Sequence, residues 1–247
     1  MKGVIILVSD KLYEKVNNHD QNIVIVIPAL NEEKGIGLVV DGIKKSMNNY
    51  NNKILVVDGH SQDQTVEISK KSGASVIFQQ SIGYGDALMS GFNYAIDNED
   101  ADILVMIDAD GTYDPSDIPA LLNPIFEKSA DLVIGNRLLK INKGSMSFIN
   151  RLGNSILSWI VKRYLKINVN DTQCGLRALR ANLIKNINIK SNGMPFATEM
   201  LVEAKQVGAG ILEVPIKYYP RIGTSKLNPL KDGILIFAKI LKLIYKY

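Results

Sequence analysis

From residue 23 onward, short apolar runs alternate with longer stretches in which apolar residues recur every three or four positions. The short runs are rich in β-branched residues and predict strands at residues 23–28, 53–57, 74–78, 103–107 and 132–135. The longer stretches predict helices at about residues 32–47, 62–71, 86–97 and 115–127. Several runs lack a polar face, which is typical of strands covered on both sides. The pattern therefore predicts an α/β fold in which a mainly parallel sheet carries helices on both faces.

The second half of the chain alternates less regularly. Amphipathic stretches at residues 147–165 and 197–206 predict helices, and residues 211–218 predict a strand. A glycine-containing loop at 171–177 and a polar loop at 220–228 lie between these elements. Because neither a repeat nor a flexible linker interrupts the chain, we expect this half to pack on the first sheet. We therefore divide the chain into an extension at 1–22, with a strand or arm at 3–8, a domain at 23–228 and a terminal helix at 229–247.

The terminal stretch, residues 231–247, predicts an amphipathic helix at a membrane interface. Lys239, Lys242 and Lys246 are spaced three and four positions apart, so they share one helical face, and apolar side chains cover the remainder. The stretch is too short and too charged to span a bilayer, but it suits the headgroup region. Residues 147–165, which include Trp159 and adjacent basic residues, are a second candidate. Docking on the protein core or on a partner subunit is the alternative for both.

Composition and charge narrow the class of protein. With 46% hydrophobic and 22% charged residues, the chain can bury a core, which excludes disordered and collagen-like proteins. The single cysteine excludes an intrachain disulfide and favours a reducing, cytoplasmic location. The net charge of +4 conceals −10 over residues 1–136 and +14 over residues 137–247. An acidic half suits a metal ion and a basic half suits phosphates, nucleic acid or an anionic membrane, although an uneven solvated surface is the plainer alternative.

Acidic side chains follow two of the predicted strands. Asp108 and Asp110 lie two positions apart at the end of a buried strand, where their charges repel unless a cation lies between them. Hard oxygen ligands of this kind favour Mg²⁺ or Mn²⁺, and an acidic turn is the alternative. Asp58 follows the second strand, where its carboxylate could accept hydrogen bonds from a base or ribose. Ligands bind at this edge of such sheets, so these positions are candidates for a nucleotide site.

A series of motifs carries a family resemblance. In order along the chain they are PALNEE, VVDGHSQDQT, GYGDAL, DADGTYDP, GNR, DTQCGLRALR, FATEMLVEA and VPIKYYPRIGTSKL. The series resembles the family 2 glycosyltransferases of the GT-A fold over about residues 23–228. Within that family it is most similar to the dolichyl- or polyprenyl-phosphate sugar synthases, of which the dolichyl-phosphate mannose synthases are an example.

The resemblance implies roles for individual residues. Asp108 and Asp110 match the metal-binding pair that holds Mg²⁺ or Mn²⁺ on the donor diphosphate. The positions that match nucleotide contacts are Pro28, Leu30, Glu32, Asp58, Asp108 and Ala109. Arg137 and Arg151 match arginines that meet an acceptor phosphate, and Arg221 and Lys226 match a basic loop that closes over the phosphates. Together with Asp110, these four cations are the predicted catalytic residues.

Two departures from the mannose synthases leave the donor open. Gly59 and His60 stand where those enzymes commonly have Asp and Gly, and Thr112 stands where they have Gln. The donor base, the sugar and any third protein ligand to the metal therefore stay undetermined. Arg177 and Arg180 are interpreted most simply as surface cations, and Glu199 as a hydrogen-bonded structural residue.

The implied activity is inverting, metal-dependent transfer of a hexose or N-acetylhexosamine. The donor would be a UDP-sugar or GDP-mannose, and the acceptor a dolichyl or polyprenyl phosphate at the cytosolic membrane face. The enzyme would be a peripheral membrane protein. It would act alone, with a separate membrane subunit, or as a homo-oligomer. Alternatives are transfer to a hydroxyl with Glu199 or Asp171 as base, and a catalytically silent nucleotide-binding or scaffold protein. We expect no nucleic-acid partner, because the basic half lacks a recognition motif and aromatic residues interleaved with its cations.

Overall fold

The computed structural model describes residues 20–139, 145–224 and 229–247. The predicted arm at residues 3–8 and the predicted site residue Lys226 lie outside these ranges. Within them, seven strands form one sheet in the order β3-β2-β1-β4-β6-β5-β7. The strands are β1 (Ile23–Ala29), β2 (Asn52–Asp58), β3 (Ser75–Phe78), β4 (Ile103–Met106), β5 (Leu132–Asn136), β6 (Arg177–Arg180) and β7 (Ile211–Pro215).

Eight α-helices accompany this sheet in the described part of the chain. They are α1 (Ile36–Ser46), α2 (Thr65–Lys71), α3 (Tyr84–Asn98), α4 (Ile118–Phe126), α5 (Phe148–Tyr164), α6 (Ala181–Asn186), α7 (Phe196–Gln206) and α8 (Pro229–Lys246). All four side chains of β4 and nearly all of β1 are buried, as expected for strands covered on both faces. The prediction of an α/β fold with a mainly parallel sheet is confirmed.

The first five predicted strands agree with the structure to within one residue at each end. The larger differences lie elsewhere. The first helix begins at Ile36 instead of residue 32, because residues 32–35 form a turn closed by the Glu32 carbonyl. The last predicted strand ends at Pro215. Strand β6 and helix α6 were not predicted, since four and six residues are too few to show a period.

Strand direction brings the functional loops to one edge of the sheet. Strands β1, β2, β3 and β4 are mutually parallel, and β5 is parallel to β7. Strand β6 runs antiparallel to both β4 and β5, so β5 points the same way as β4. Every strand except β6 therefore ends at the same edge. The residues that follow β1, β2, β4, β5 and β7 gather there.

The terminal helix α8 docks on the domain through one face. Its Ile236, Ile240 and Leu243 are buried. Lys239 pairs with Glu199 at 2.5 Å, and Lys246 pairs with Glu203 at 3.0 Å. The prediction that the three lysines form one outward face is therefore wrong. Two of them, Lys239 and Lys246, bind carboxylates of α7 instead.

The outward surface of α8 is largely apolar. Its exposed large apolar residues are Leu230, Ile234, Leu235, Phe237, Leu241 and Tyr245, and Lys231, Lys242 and Lys246 are exposed beside them. Helix α5, which contacts α8, also exposes large apolar side chains: Phe148, Ile149, Leu152, Ile156 and Trp159. We call these two sets the α5–α8 face. Across the described ranges, no helix is both long and apolar enough to pass through a bilayer.

Arg177 on β6 is fully buried, which corrects its interpretation as a surface cation. Its guanidinium donates to the carbonyl oxygens of Cys174 at 2.9 Å, Ala197 at 2.7 Å and Thr172 at 2.8 Å. It therefore ties the loop before β6 to helix α7. Arg180 is half-buried and lies 3.4 Å from Asp131.

We expect Arg177→Met to lower the free energy of unfolding by about 3 kcal/mol, because it leaves buried carbonyl groups without donors. Urea denaturation followed by circular dichroism measures the change. Arg163→Met is the matched control, since Arg163 is exposed on α5, and its effect should stay within about 0.5 kcal/mol. Equal stability of the two variants would contradict this role of Arg177.

Candidate active site

A cavity of about 610 Å³ opens at the shared edge of the sheet. Segments after β1, β2, β4, β5 and β7 contribute to it, together with the start of α3 and the loop before β6. The polar and aromatic side chains that line it are Glu32, His60, Gln79, Tyr84, Asp108, Asp110, Tyr113, Arg137, Gln173, Tyr218 and Arg221. The cavity therefore combines carboxylates from the first half of the chain with arginines from the second.

The two aspartates after β4 are held differently. One Asp110 oxygen accepts from the Thr112 amide at 3.0 Å and its hydroxyl at 2.7 Å, and the other accepts from Arg221 at 2.6 Å. Asp108 accepts a hydrogen bond from the Tyr84 hydroxyl at 2.9 Å. Gly175 faces Asp108 so closely that an added Cβ would lie 2.6 Å from its Oδ2 atom. The backbone around the pair is thus shaped to leave room for the Asp108 carboxylate.

The electrostatics of this pair would favour a bound cation. Burial and the negative charge of Asp110 raise the pKa of Asp108 to about 7. The carboxylate is therefore short of compensating positive charge. No group of three or more His, Cys, Asp and Glu side chains suited to a metal occurs within the described ranges. Two hard oxygen donors fit Mg²⁺ or Mn²⁺, which commonly take their remaining ligands from substrate phosphates and water.

Arg221 lines the cavity beside Asp110. Its guanidinium pairs with Asp110 and with Glu32 after β1. The segment that carries it is fastened to the loop after β4, because the amides of Ile222 and Tyr219 donate to the carbonyls of Asp110 and Thr112, each at 2.9 Å. The buried Nε atom of Arg221 has no hydrogen-bond partner among the residues that the structure describes. This cation is thus well placed to contact an anion that enters the cavity.

Arg137 is buried directly after β5. Its Nε and Nη2 atoms each donate to Asp171 at 2.7 Å, and its guanidinium lies 5.2 Å from the centre of the Tyr218 ring. Burial opposes its charge, but Tyr113 and Asp171 raise the pKa of Arg137 well above its usual range. The cavity therefore holds a second permanently charged arginine in a defined orientation.

The structure places most of the predicted site residues in the lining of this cavity. Those that line the cavity are Pro28, Leu30, Glu32, Asp108, Ala109, Asp110, Arg137 and Arg221. Asp58 does not line it: the carboxylate is buried and accepts from the amide and hydroxyl of Ser61, at 2.8 and 2.5 Å. Its neighbours Gly59 and His60 do line the cavity. Arg151 lies exposed on α5 and is also absent from the lining.

The two carboxylates considered as bases are both committed to other groups. Glu199 is buried outside the cavity lining and accepts from Lys239 at 2.5 Å and from the Ser191 amide at 2.8 Å. Burial opposes its ionised form, yet these bonds lower the pKa of Glu199. Asp171 is fully occupied by Arg137. Neither carboxylate is placed to take a proton from a substrate in the cavity.

Sequence reasoning missed several cavity residues, chiefly aromatic and amide side chains: His60, Gln79, Tyr84, Tyr113, Gln173 and Tyr218. Tyr84 lies within the Gly-Tyr-Gly segment, which suggested only a close backbone approach. Tyr113 accepts from the Gly175 amide at 2.7 Å and packs against Tyr218, with ring centres 5.4 Å apart. The available signal was that all of these residues except Gln79 lie within motifs of the resemblance.

Comparison with known proteins agrees with this geometry. The family model described as glycosyl transferase family 2 matches residues 24–187. The chain is 33% identical to a dolichyl-phosphate hexose transferase of Haloferax volcanii over 221 residues, 90% of this chain and 93% of that protein. It is 32% identical to a UDP-N-acetylglucosamine–dolichyl-phosphate N-acetylglucosaminyltransferase of Methanococcus voltae over 246 residues, 91% of this chain and 96% of that protein.

Two further comparisons differ in how much of the other protein they cover. The chain is 35% identical to the low-salt glycan biosynthesis hexosyltransferase Agl6 of Haloferax volcanii over 213 residues, 85% of this chain, but it spans only half of that relative's length. Among solved structures, glucosyl-3-phosphoglycerate synthase of Mycobacterium tuberculosis, in complex with Mn²⁺, UDP and phosphoglyceric acid, has a TM-score of 0.70 at 22% identity. The match covers 91% of this chain and 79% of that one, and it supports the fold.

Proposed function

The chain belongs to glycosyl transferase family 2, and from this premise we propose that it transfers a sugar from a nucleoside diphosphate to a dolichyl or polyprenyl phosphate. The sugar would be a hexose or N-acetylhexosamine, as a UDP-sugar or GDP-mannose. One observation carries the proposal: the cavity places Asp108, Asp110, Arg137 and Arg221 around one space. Two anionic substrates can meet there, since arginines and a cation held by the aspartates offset their repulsion.

The carboxylates that line the cavity already have other roles, which favours a phosphate acceptor over a hydroxyl acceptor. In the described part of the chain, the carboxylates that line the cavity are Glu32, Asp108 and Asp110. Glu32 and Asp110 pair with Arg221, and Asp108 belongs to the metal pair. A hydroxyl acceptor needs a base to remove its proton, whereas a phosphate, with a second pKa of about 6, is already ionised near neutral pH. The rival with Glu199 or Asp171 as base therefore has little support.

The proposed transfer is a single displacement that inverts the anomeric centre. A phosphate oxygen of the lipid forms a bond to the anomeric carbon as the bond from that carbon to the diphosphate oxygen breaks. The electron pair leaves with the nucleoside diphosphate, and no proton changes place. Asp108 and Asp110 would hold Mg²⁺ or Mn²⁺, which neutralises developing charge on the leaving diphosphate. Arg221 supports the same group from its position beside Asp110, and Arg137 orients the incoming phosphate.

We propose that the α5–α8 face contacts the membrane that contains the lipid acceptor. Its apolar residues lie outward, and exposed cations flank them: Arg151, Lys162, Arg163 and Lys242. An apolar surface bordered by basic residues suits anionic headgroups. Within this proposal, Arg151 meets the acceptor phosphate near the surface, and the cytosolic face fits the reducing location expected from a lone cysteine. A membrane subunit or a second copy of the chain would compete for the same face.

We expect the double variant Phe237→Glu and Leu241→Glu to lose at least tenfold in binding to vesicles that contain anionic lipid. Both side chains are exposed on α8, and burying each apolar side chain is worth about 2 kcal/mol. Co-sedimentation measures the change, with Leu38→Glu on the exposed side of α1 as the matched control. Unchanged vesicle binding, or loss of a dimer in sedimentation velocity with vesicle binding intact, would contradict the membrane assignment.

The acceptor is tested by mass-spectrometric assay of the purified protein with several nucleotide sugars, Mn²⁺ and short polyprenyl phosphates. A lipid-linked sugar phosphate is the expected product. Glycan and diacylglycerol acceptors are included in parallel. Transfer to a hydroxyl acceptor with none to lipid phosphate would overturn the proposal. Binding of nucleotide without transfer or donor hydrolysis would instead support a silent nucleotide-binding protein.

A further inference from the structure

Behind the cavity, a chain of hydrogen bonds leads from strand β7 to Arg137. Asp171 is fully buried and holds Arg137 at three points: the Nε and Nη2 atoms at 2.7 Å each, and the backbone amide at 3.0 Å. This fork-to-fork pairing fixes the plane of the guanidinium as well as its position. The guanidinium also borders the cavity, where it lies 5.2 Å from the centre of the Tyr218 ring.

Asp171 is in turn fixed by Glu213 on β7. One Glu213 oxygen accepts from the backbone amides of Asn170 and Asp171, at 2.8 and 2.7 Å, and the other accepts from the Asn170 side chain at 2.8 Å. Ile134 of β5 is in register with Glu213 of β7. The loop that carries Asp171 is therefore anchored on the strand beside the one that leads into Arg137.

This arrangement gives Glu213 no direct access to substrate, because Arg137 lines the cavity and Glu213 does not. Any effect of Glu213 on catalysis must pass through Asp171. A displacement of about 1 Å in a group that orients a reactant can cost about 100-fold in rate. The Arg137 guanidinium is sensitive to such a displacement, since the carboxylate of Asp171 accepts both of the hydrogen bonds that set its plane.

We propose that Glu213 and Asp171 are positioning residues that hold the Arg137 guanidinium in the orientation that receives the acceptor phosphate. The inference rests on the proposed function and extends it to residues that touch no substrate. It also assigns Asp171 a role other than general base. Loss of the Asp171 carboxylate weakens recognition of the acceptor and not of the donor.

The test is a steady-state comparison of Glu213→Ala, Glu213→Gln and Asp171→Asn in the full chain. Glu213→Ala removes three acceptor contacts and should raise KM for polyprenyl phosphate about tenfold, with KM for the nucleotide sugar unchanged within about twofold. Glu213→Gln keeps an oxygen for the two amides and should recover most of the affinity. Asp171→Asn should also raise KM for polyprenyl phosphate, and its pH–rate profile should keep the same limbs as that of the unmodified chain. Glu67→Ala, exposed on α2, is the control.

Several outcomes would overturn the inference. These are an unchanged acceptor KM in Glu213→Ala, an equal rise in donor and acceptor KM, or loss of a pH limb in Asp171→Asn. If Glu213→Ala fails to fold, Asn170→Ala removes one contact and should raise the acceptor KM about threefold, and no rise overturns the inference. Failure of the proposed function is distinct, because the unmodified chain would then form no lipid-linked sugar at all.

Discussion

Asp110→Asn should lower sugar transfer at least about 10³-fold while leaving the fold intact. The amide keeps the shape of the side chain and can still accept from Thr112, so the loop after β4 should hold. It loses the negative charge needed to bind a cation and to balance Arg221. Removing a group that stabilises transition-state charge typically costs 10²- to 10³-fold, and here both the cation and the arginine are affected.

This prediction is checked by kcat/KM with saturating Mn²⁺ and by titration of Mn²⁺ in the presence of nucleoside diphosphate. Asp114→Asn is the matched control, since Asp114 lies four positions later, pairs with Lys217 at 2.9 Å and does not line the cavity. Its activity should stay within a few fold of the unmodified chain. Transfer by Asp110→Asn at near-normal rate, with cation affinity retained, would refute the assignment of the metal pair.

Arg221→Met should lower kcat about 100-fold without weakening the binding of Mn²⁺ alone. The side chain supplies positive charge opposite the metal pair, so its loss removes support for the leaving diphosphate. At the same time, a cation held by Asp110 would compete with Arg221 for that carboxylate. Removing the arginine therefore leaves Asp110 free for Mn²⁺, and affinity for the ion in the absence of nucleotide should be equal or higher.

Electron paramagnetic resonance of free Mn²⁺ measures this affinity, and single-turnover assays measure the chemical step. Lys217→Met is the control, because it removes a cation of the same segment that pairs with Asp114 outside the cavity. A parallel loss of Mn²⁺ affinity and kcat in Arg221→Met would show that the arginine supports the metal pair instead of the leaving group.

Much of the fold was predictable because its signals are local. The continuous apolar runs of β1 and β4 identified buried parallel strands, and parallel strands place their ends at one edge. That rule was enough to group Asp108 and Asp110 with the residues after β1. The family motifs added Arg137 and Arg221, which the structure places in the same cavity.

Other features depended on partners that no local pattern identifies. Asp58 follows the rule for a strand-end ligand, yet Ser61 occupies its carboxylate and the residues after it line the cavity instead. Arg177 has the charge of a surface residue, but carbonyl groups from two separate segments enclose it. In the terminal helix, the predicted outward direction of the lysines was wrong. Glu199 and Glu203 of α7 pair with two of them, and the spacing of the lysines does not reveal this.

The sequence by itself determined the α/β class, the first five strands, the acidic pair after β4 and the charge division between the halves. Only the tertiary structure decided which side chains share the cavity and which are held behind it. Periodicity and turn chemistry act over a few residues, whereas Arg221 meets Asp110 across 111 positions and Glu213 anchors Asp171 across 42. Such pairings follow from packing of whole strands and helices, so they exist only once the sheet has formed.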